Sequence, residues 1–286
     1  MIYIDFPEQE MIVSYLGGVS MTQLAKLYNV SRYVIADRLD KNNVAQYKHG
    51  YFLRICKDIN EHYFDVIDTE EKAYFLGLLY ADGCNHNLDK KKKISISLQA
   101  EDKPILELFS QAILGGMHLN FIKRRAATHQ DQYALNIHSS IISNKLAELG
   151  CTARKSLTLK FPEWLIDLEL QRHFIRGYFD GDGTVGSYKR KDRKDGIDYF
   201  AEIVSTLDFC TSISNIINKN AEVNVLLRLS DPKHNSITNK LYIRGNLQIV
   251  KFLDWLYRDA KVYLPRKYNK YINLSQGMSI TTHIID

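Results

Sequence analysis

The chain has 286 residues, of which 45% are hydrophobic and 25% charged, the make-up of an ordinary soluble globular protein with room for two or three compact units. Its net charge of +5 and pI near 8.8 permit an anionic partner without requiring one. Cys56, Cys84, Cys151 and Cys210 are scattered with no C-x-x-C spacing, and no signal peptide or run of 18 apolar residues occurs; this argues against a zinc site, a disulfide scaffold and a membrane span and leads us to expect a cytoplasmic protein.

The first 43 residues predict a small all-α domain. Glu8 to Leu16 reads as a helix, and Ser20 is a plausible N-cap for the next. Met21 to Leu39 has helix-turn-helix spacing, with Leu24, Leu27, Val30, Ile35 and Leu39 as the apolar set and Ala25 as the small residue at the crossing. Asn29 suits a left-handed turn. Ser31 then caps a recognition helix presenting Arg32, Tyr33 and Arg38, with Asp37, to a DNA major groove. Residues 1–50 hold five basic and five acidic side chains, so the expected grip on phosphate is weak. The alternative is a helical hairpin used only for packing. Residues 44–67 lack a clear period and read as a linker with short extended pieces.

Thr69 caps a helix whose first turn is acidic, and that helix contains Tyr74 to Gly83, YFLGLLYADG. The stretch returns as Phe174 to Gly183, FIRGYFDGDG, a hundred positions later. Each copy carries a small pair four residues apart, Gly77 with Ala81 and Gly177 with Gly181. Residues at that spacing share one helix face, so two such helices can cross with their backbones nearly touching. An acid follows in each, Asp82 and Asp182, and then a glycine, Gly83 and Gly183, expected to end the helix at positive φ. Two carboxylates at the negative ends of two helices repel each other and the dipoles; a divalent cation reverses the sign of that problem.

The rest reads as one α+β unit used twice, over residues 68–160 and 161–286, each in the order αββαββα with helices on one sheet face. In the first, Lys93 to Ala100 alternates Ile94, Ile96 and Leu98 with Ser95, Ser97 and Gln99, then comes a helix from Glu101 to Leu114. Met117 to Arg125 and Gln132 to His138 predict a hairpin with Asn136 and His138 on its polar face, and Ser139 to Leu149 a further helix. In the second, Tyr199 to Ser205 is a strand, Leu207 to Asn218 a helix, and Val223 to Leu229 a strand with Asn224 and Arg228 on the polar side. Lys240 to Arg244 puts Lys240, Tyr242 and Arg244 outside, and Asn246 to Tyr257 is a helix. Basic tips at Lys90 to Lys93, Lys123 to Arg125 and Lys189 to Lys194 (Lys189, Arg190 and Arg193 among them) complete a surface expected to lie along duplex DNA. Phosphate contacts would supply affinity there, and strand side chains would read bases.

FLGLLYADG and IRGYFDGDG resemble the paired signature helices of the LAGLIDADG homing endonucleases, in the form with both motifs on one chain. The likeness runs from about Asn60 to Lys270. The lead-in Ile59 to Gly77 is similar to that of phage-type members with an N-terminal helix-turn-helix. Phe75, Leu76 and Tyr80 depart from the motif, Asp180 keeps its inner acid, and Arg176 stands where a small residue is usual.

The resemblance implies a monomer without a protein partner that binds double-stranded DNA as a saddle, in host cytosol if phage-encoded. It implies Mg2+ held by Asp82 and Asp182, with the carbonyls of Ala81 and Gly181 completing the shell, and one phosphodiester hydrolysed in each strand to leave staggered ends. Lys155 in Arg154-Lys155-Ser156 and Lys267 in Arg266-Lys267-Tyr268 match the lysine that lies near each scissile phosphate. An ammonium there stabilises transition-state charge or lowers the pKa of the attacking water. Two other readings stay open: a non-cutting DNA-binding regulator, in which the acids are typically lost, and an RNA-binding intron maturase.

Overall fold

In the computed structural model the described residues are 7–16, 19–44, 46, 59–87, 92–116, 119–124, 130–190, 196–231 and 237–282. They form two units, Met1–Ile59 and Asn60–Asp286.

The first unit holds α1 (Glu8–Leu16), α2 (Met21–Leu27) and α3 (Arg32–Lys41). A capping box opens α2: the Ser20 hydroxyl accepts from the Gln23 N–H, and the Gln23 side chain accepts from the Ser20 N–H. Ser31 caps α3 by accepting from the Val34 N–H, and Asn29 makes the turn between them at φ 50°. Met11, Tyr15, Leu24, Ile35 and Leu39 are fully buried, with Ala25 beside them. Leu27, expected in that core, is 69% exposed. Met21, Leu24, Ala25 and Tyr28 fill the i, i+3, i+4, i+7 stripe of α2, and Leu27 falls off it.

The second unit begins earlier than a linker ending at residue 67 implies. Tyr63, Phe64 and Ile67 are buried, Phe64 packs edge-on to Phe109, and the Asn60 N–H donates to the Ile113 carbonyl. Then follow α4 (Glu70–Ala81), β1 (Gly83–Asn85), β2 (Ile94–Gln99), α5 (Lys103–Leu114), β3 (Asn120–Ile122), β4 (Gln132–Ile137) and α6 (Ser140–Glu148). The order repeats as α7 (Leu168–Asp182), β5 (Thr184–Lys189), β6 (Ile197–Ser205), α8 (Leu207–Ala221), β7 (Leu226–Leu229), β8 (Asn239–Arg244) and α9 (Asn246–Tyr257), closed by α10 (Pro265–Thr282). Each repeat is therefore the expected αββαββα unit, and α10 is an addition that the sequence pattern did not show.

Both sheets are antiparallel with the same strand order, β1-β2-β4-β3 and β5-β6-β8-β7. Alternation in β2 and β4 puts Ile94, Ile96, Leu135 and Ile137 on the helix side, as Ala201, Ile203, Leu241 and Ile243 do in the second sheet. Thr69 caps α4 and Asp167 caps α7. Every residue from Ala73 to Tyr80 and from Arg172 to Asp180 is buried, because these two helices run through the middle of the unit with no solvent face there.

Candidate active site

The seam between α4 and α7 is built on close backbone approach. A Cβ placed on Gly77 would sit 2.0 Å from the Phe174 carbonyl oxygen, and one on Gly177 would sit 2.0 Å from the Tyr74 carbonyl oxygen. Lower down, a Cβ on Gly181 would meet the Ala81 Cβ at 2.4 Å and Asp82 Oδ2 at 2.9 Å. The Asp82 carboxylate thus lies against the opposite helix. Gly83 and Gly183 do not hold the positive φ expected of them: Gly183 has φ −77°, and neither is among the positive-φ glycines. Space is the reason for glycine there, since a Cβ would meet the Leu79 carbonyl oxygen at 2.6 Å and the Phe179 carbonyl oxygen at 2.5 Å, respectively.

Asp82 caps α4 and Asp182 ends α7, so both acids meet at the foot of the seam. Both residues keep exposed surface, yet their carboxylates are partly desolvated where the two helices meet. That desolvation, together with the charge of Asp182, pushes the Asp82 carboxyl up to about 6. Desolvation raises Asp182 as well, against a hydrogen bond from Tyr178.

Each acid has a buried lysine beside it. Lys155 Nζ donates to the Gly83 carbonyl, and Lys267 Nζ donates to the carbonyls of Phe179 and Gly183, the latter at 2.5 Å. Burial pushes the Lys267 ammonium down to about 8 against the raising field of Asp180. Lys155 lies in a 3-10 turn entered through Arg154 at φ 54°, and Lys267 lies in the first turn of α10. Arg266, the neighbour of Lys267, reaches the first repeat and pairs with buried Asp102 at 2.9 Å.

Arg176 bridges the two helices rather than holding them apart: its guanidinium lies 5.6 Å over the Tyr74 ring of α4. It is fully buried and donates to the Val262 and Leu256 carbonyls, to His173 Nδ1 and to Glu70. Asp180 is also fully buried. It accepts from the Tyr74 hydroxyl at 2.8 Å, the Tyr257 hydroxyl at 2.5 Å and the Leu264 N–H at 2.8 Å. Sequence reasoning gave neither residue a partner, because, His173 apart, those partners come from segments 77 to 106 positions away.

On the outer face of the first sheet, Ser95 pairs with Asn136 and Gln99 with Gln132, with Ser97 between. His138 lies just past β4, exposed, and Lys123 just past β3. On the second sheet, Arg228, Lys240, Tyr242 and Arg244 share the outer face, and Lys240 pairs with Glu202 at 2.9 Å.

Several residues expected to contact DNA have other surroundings in the structure. Lys189 has the parity of buried Val185, which turns it to the helix side of β5. Asn224 precedes β7, and its N–H donates to the Gln248 side chain at 2.6 Å. Arg38 is held 3.9 Å from Glu8 within the first unit, whereas Arg32 and Tyr33 are exposed. Arg190 lies 3.8 Å from Asp198. Arg125, Arg193, Lys90, Lys91 and Lys191 to Lys194 lie outside the described residues.

One outer-face feature was missed: Phe200 stacks on Tyr242 at 5.6 Å, Tyr188 lies 6.4 Å from Phe200, and Arg228 stands 5.4 Å over the Tyr242 ring. The alternation of Asp198, Phe200 and Glu202 with Ala201 and Ile203 was the signal for it. Among the described residues no helix is long and apolar enough to cross a membrane.

No family model matches the sequence, and no curated protein does. Solved structures do match. The LAGLIDADG homing endonuclease I-GzeII in complex with DNA target is 14% identical with a TM-score of 0.51, over 74% of this chain and 91% of that one. The I-LtrWI LAGLIDADG homing endonuclease bound to target DNA is 12% identical with a TM-score of 0.51, over 78% and 93%. The duplicated αββαββα unit, with its glycine-lined seam between α4 and α7, is the LAGLIDADG homing endonuclease fold, both repeats carried on one chain.

Proposed function

We propose that the chain is a site-specific endonuclease that hydrolyses one phosphodiester in each strand of duplex DNA. The observation that carries this reading is the meeting of Asp82 and Asp182 at the foot of the seam, each flanked by a buried lysine amine on the following carbonyl. Both structural neighbours named above are described as bound to target DNA, which supports the substrate class.

Asp82 and Asp182 fit a divalent metal, since oxygen donors in a mutually repelling pair are what a hard cation relieves. The carbonyls of Ala81 and Gly181, in the final turns of α4 and α7, belong to the groups a helix end leaves without partners and complete the donor set. Mg2+, when bound there, supplies Lewis acidity and a water of lowered pKa. Lys155 and Lys267 hold positive charge beside the acids, where charge develops on the scissile phosphate. The outer sheet faces bind the duplex, with Ser95, Ser97, Gln99 and Asn136 serving one half-site and Arg228, Lys240, Tyr242 and Arg244 the other. The first unit acts as a DNA-docking module through Arg32 and Tyr33 at the start of α3, and the protein works as a monomer.

The test is cleavage of DNA from the chain's own intron or intergenic locus, together with a randomised duplex library, in Mg2+ and in Ca2+. A Mg2+-dependent double-strand break, lost in Asp82→Asn plus Asp182→Asn while binding persists, is the expected result. Tight specific binding without cutting in wild type would replace the nuclease with a regulator.

A further inference from the structure

The buried side chain two positions before each acid has a partner at the entrance of the segment that delivers the lysine. In the second repeat that side chain is Asp180, which accepts from the Leu264 N–H at 2.8 Å. Leu264 precedes Pro265, the first residue of α10, and Lys267 follows in the same turn. In the first repeat the side chain is Tyr80, whose hydroxyl donates to the Leu149 carbonyl at 2.5 Å. Leu149 caps the end of α6, and the loop beyond it runs through Gly150 and Arg154 to Lys155. Both side chains are buried, and both lysines end on the carbonyl of the glycine after the acid.

We propose that Tyr80 and Asp180 are positioning residues for Lys155 and Lys267, one per repeat, with hydrogen-bond polarity reversed between them. The tether is a donor where the lysine segment offers a carbonyl and an acceptor where it offers an N–H. Each lysine is therefore set by its own repeat. A lesion in one tether releases one lysine and leaves the other in place. Other contacts also hold these segments, Arg266 on Asp102 and Arg176 on the Val262 carbonyl among them, but in the second repeat the Asp180 bond is the one to the backbone N–H just before Pro265. The consequence for cleavage rests on the endonuclease reading; the positioning itself does not.

The experiment is acylation of the full chain with an amine-reactive acetate ester, with Lys155 and Lys267 labelling rates read by peptide mass spectrometry. Asp180→Asn keeps size but offers one acceptor to three donors; with rates extrapolated over a pH series to the fully deprotonated amine, so that the lost carboxylate field drops out, it is expected to raise the Lys267 rate at least tenfold with Lys155 within twofold. Tyr80→Phe is expected to do the reverse. Both lysines rising together in either variant, or neither rising, would overturn the proposal. A further check uses wild type: the Leu264 amide should exchange as slowly as core helix amides, and fast exchange would also overturn it. On target DNA, Asp180→Asn and Tyr80→Phe should each accumulate nicked product, in opposite strands. Absence of cutting by wild type would refute the endonuclease reading, while the labelling rates still decide the positioning.

Discussion

Gly77 and Gly177 occupy reciprocal places in one helix crossing, each lacking the Cβ that would strike the carbonyl of Phe174 or Tyr74 at 2.0 Å. The atoms in the way are backbone, so no side-chain rotation relieves the clash. Gly77→Ala and Gly177→Ala should each destabilise the protein by about 3 kcal/mol or more, beyond the usual range for overpacking. Urea denaturation measures this. A cost below about 1 kcal/mol in either variant would contradict the close crossing.

Asp82 should limit stability in the metal-free protein. Its carboxyl is pushed up to about 6, above the ordinary 3.8, so the folded state favours the protonated form. Stability from that group is full below about pH 4 and lost as pH rises through 6. Asp82→Asn should therefore stabilise the metal-free chain at pH 7.5, by about 1 kcal/mol once solvent screening at its exposed face is allowed for. The gain should vanish near pH 4, and cleavage should be lost at every pH. Thermal melts across that range, with EDTA present, check the sign.

His173 works in the opposite sense. Burial and the Arg176 guanidinium hold its imidazole down near 4, below the ordinary 6.5. Arg176 only donates, so His173 Nδ1 must accept at 2.8 Å and the ring is neutral. Its contribution is present above pH 6.5 and is lost as pH falls toward 4. His173→Gln should flatten the pH dependence of stability within that window, measured by denaturation at fixed pH steps. An unchanged slope would show that the ring is not held neutral.

Arg176 and Glu70 join α7 to the start of α4 at 2.6 Å. Glu70 also accepts from the N–H groups of Lys261 and Val262. Arg176→Met leaves the carbonyls of Val262 and Leu256 without their donor and the carboxylate without its cation. A loss of about 3–5 kcal/mol is expected, the usual cost of breaking a buried pair from one side. Calorimetry or urea denaturation would show it.

Lys240 spends its charge on Glu202 at 2.9 Å. Glu202→Gln should free that ammonium for phosphate, tightening DNA binding and steepening its salt dependence by about one unit of slope. Lys240→Ala in the Glu202→Gln background should return the slope. Fluorescence anisotropy over a salt series measures both.

The sequence by itself determined the repeat and the order of elements, and it put the two acids and the two lysines at matching places within the repeats. Those features are local or periodic: alternation names a strand face, glycines four apart name a helix face, and an N-cap needs only its next three residues. The turn at Asn29 between α2 and α3 was legible for the same reason, and Leu27 was misplaced because a seven-residue helix gives little period to read. Tertiary structure alone decided what the buried polar side chains do. Arg176 stands where the motif usually has a small residue and is a clasp to the α9–α10 connection, and Asp180, the motif's inner acid, holds Leu264. Apart from His173, their partners lie far along the chain, and buried polar groups take whatever complementary atoms the fold brings within hydrogen-bond reach. The parity that turned Lys189 away from the outer face was likewise fixed by pairing register, which a charge run at a hairpin tip does not reveal.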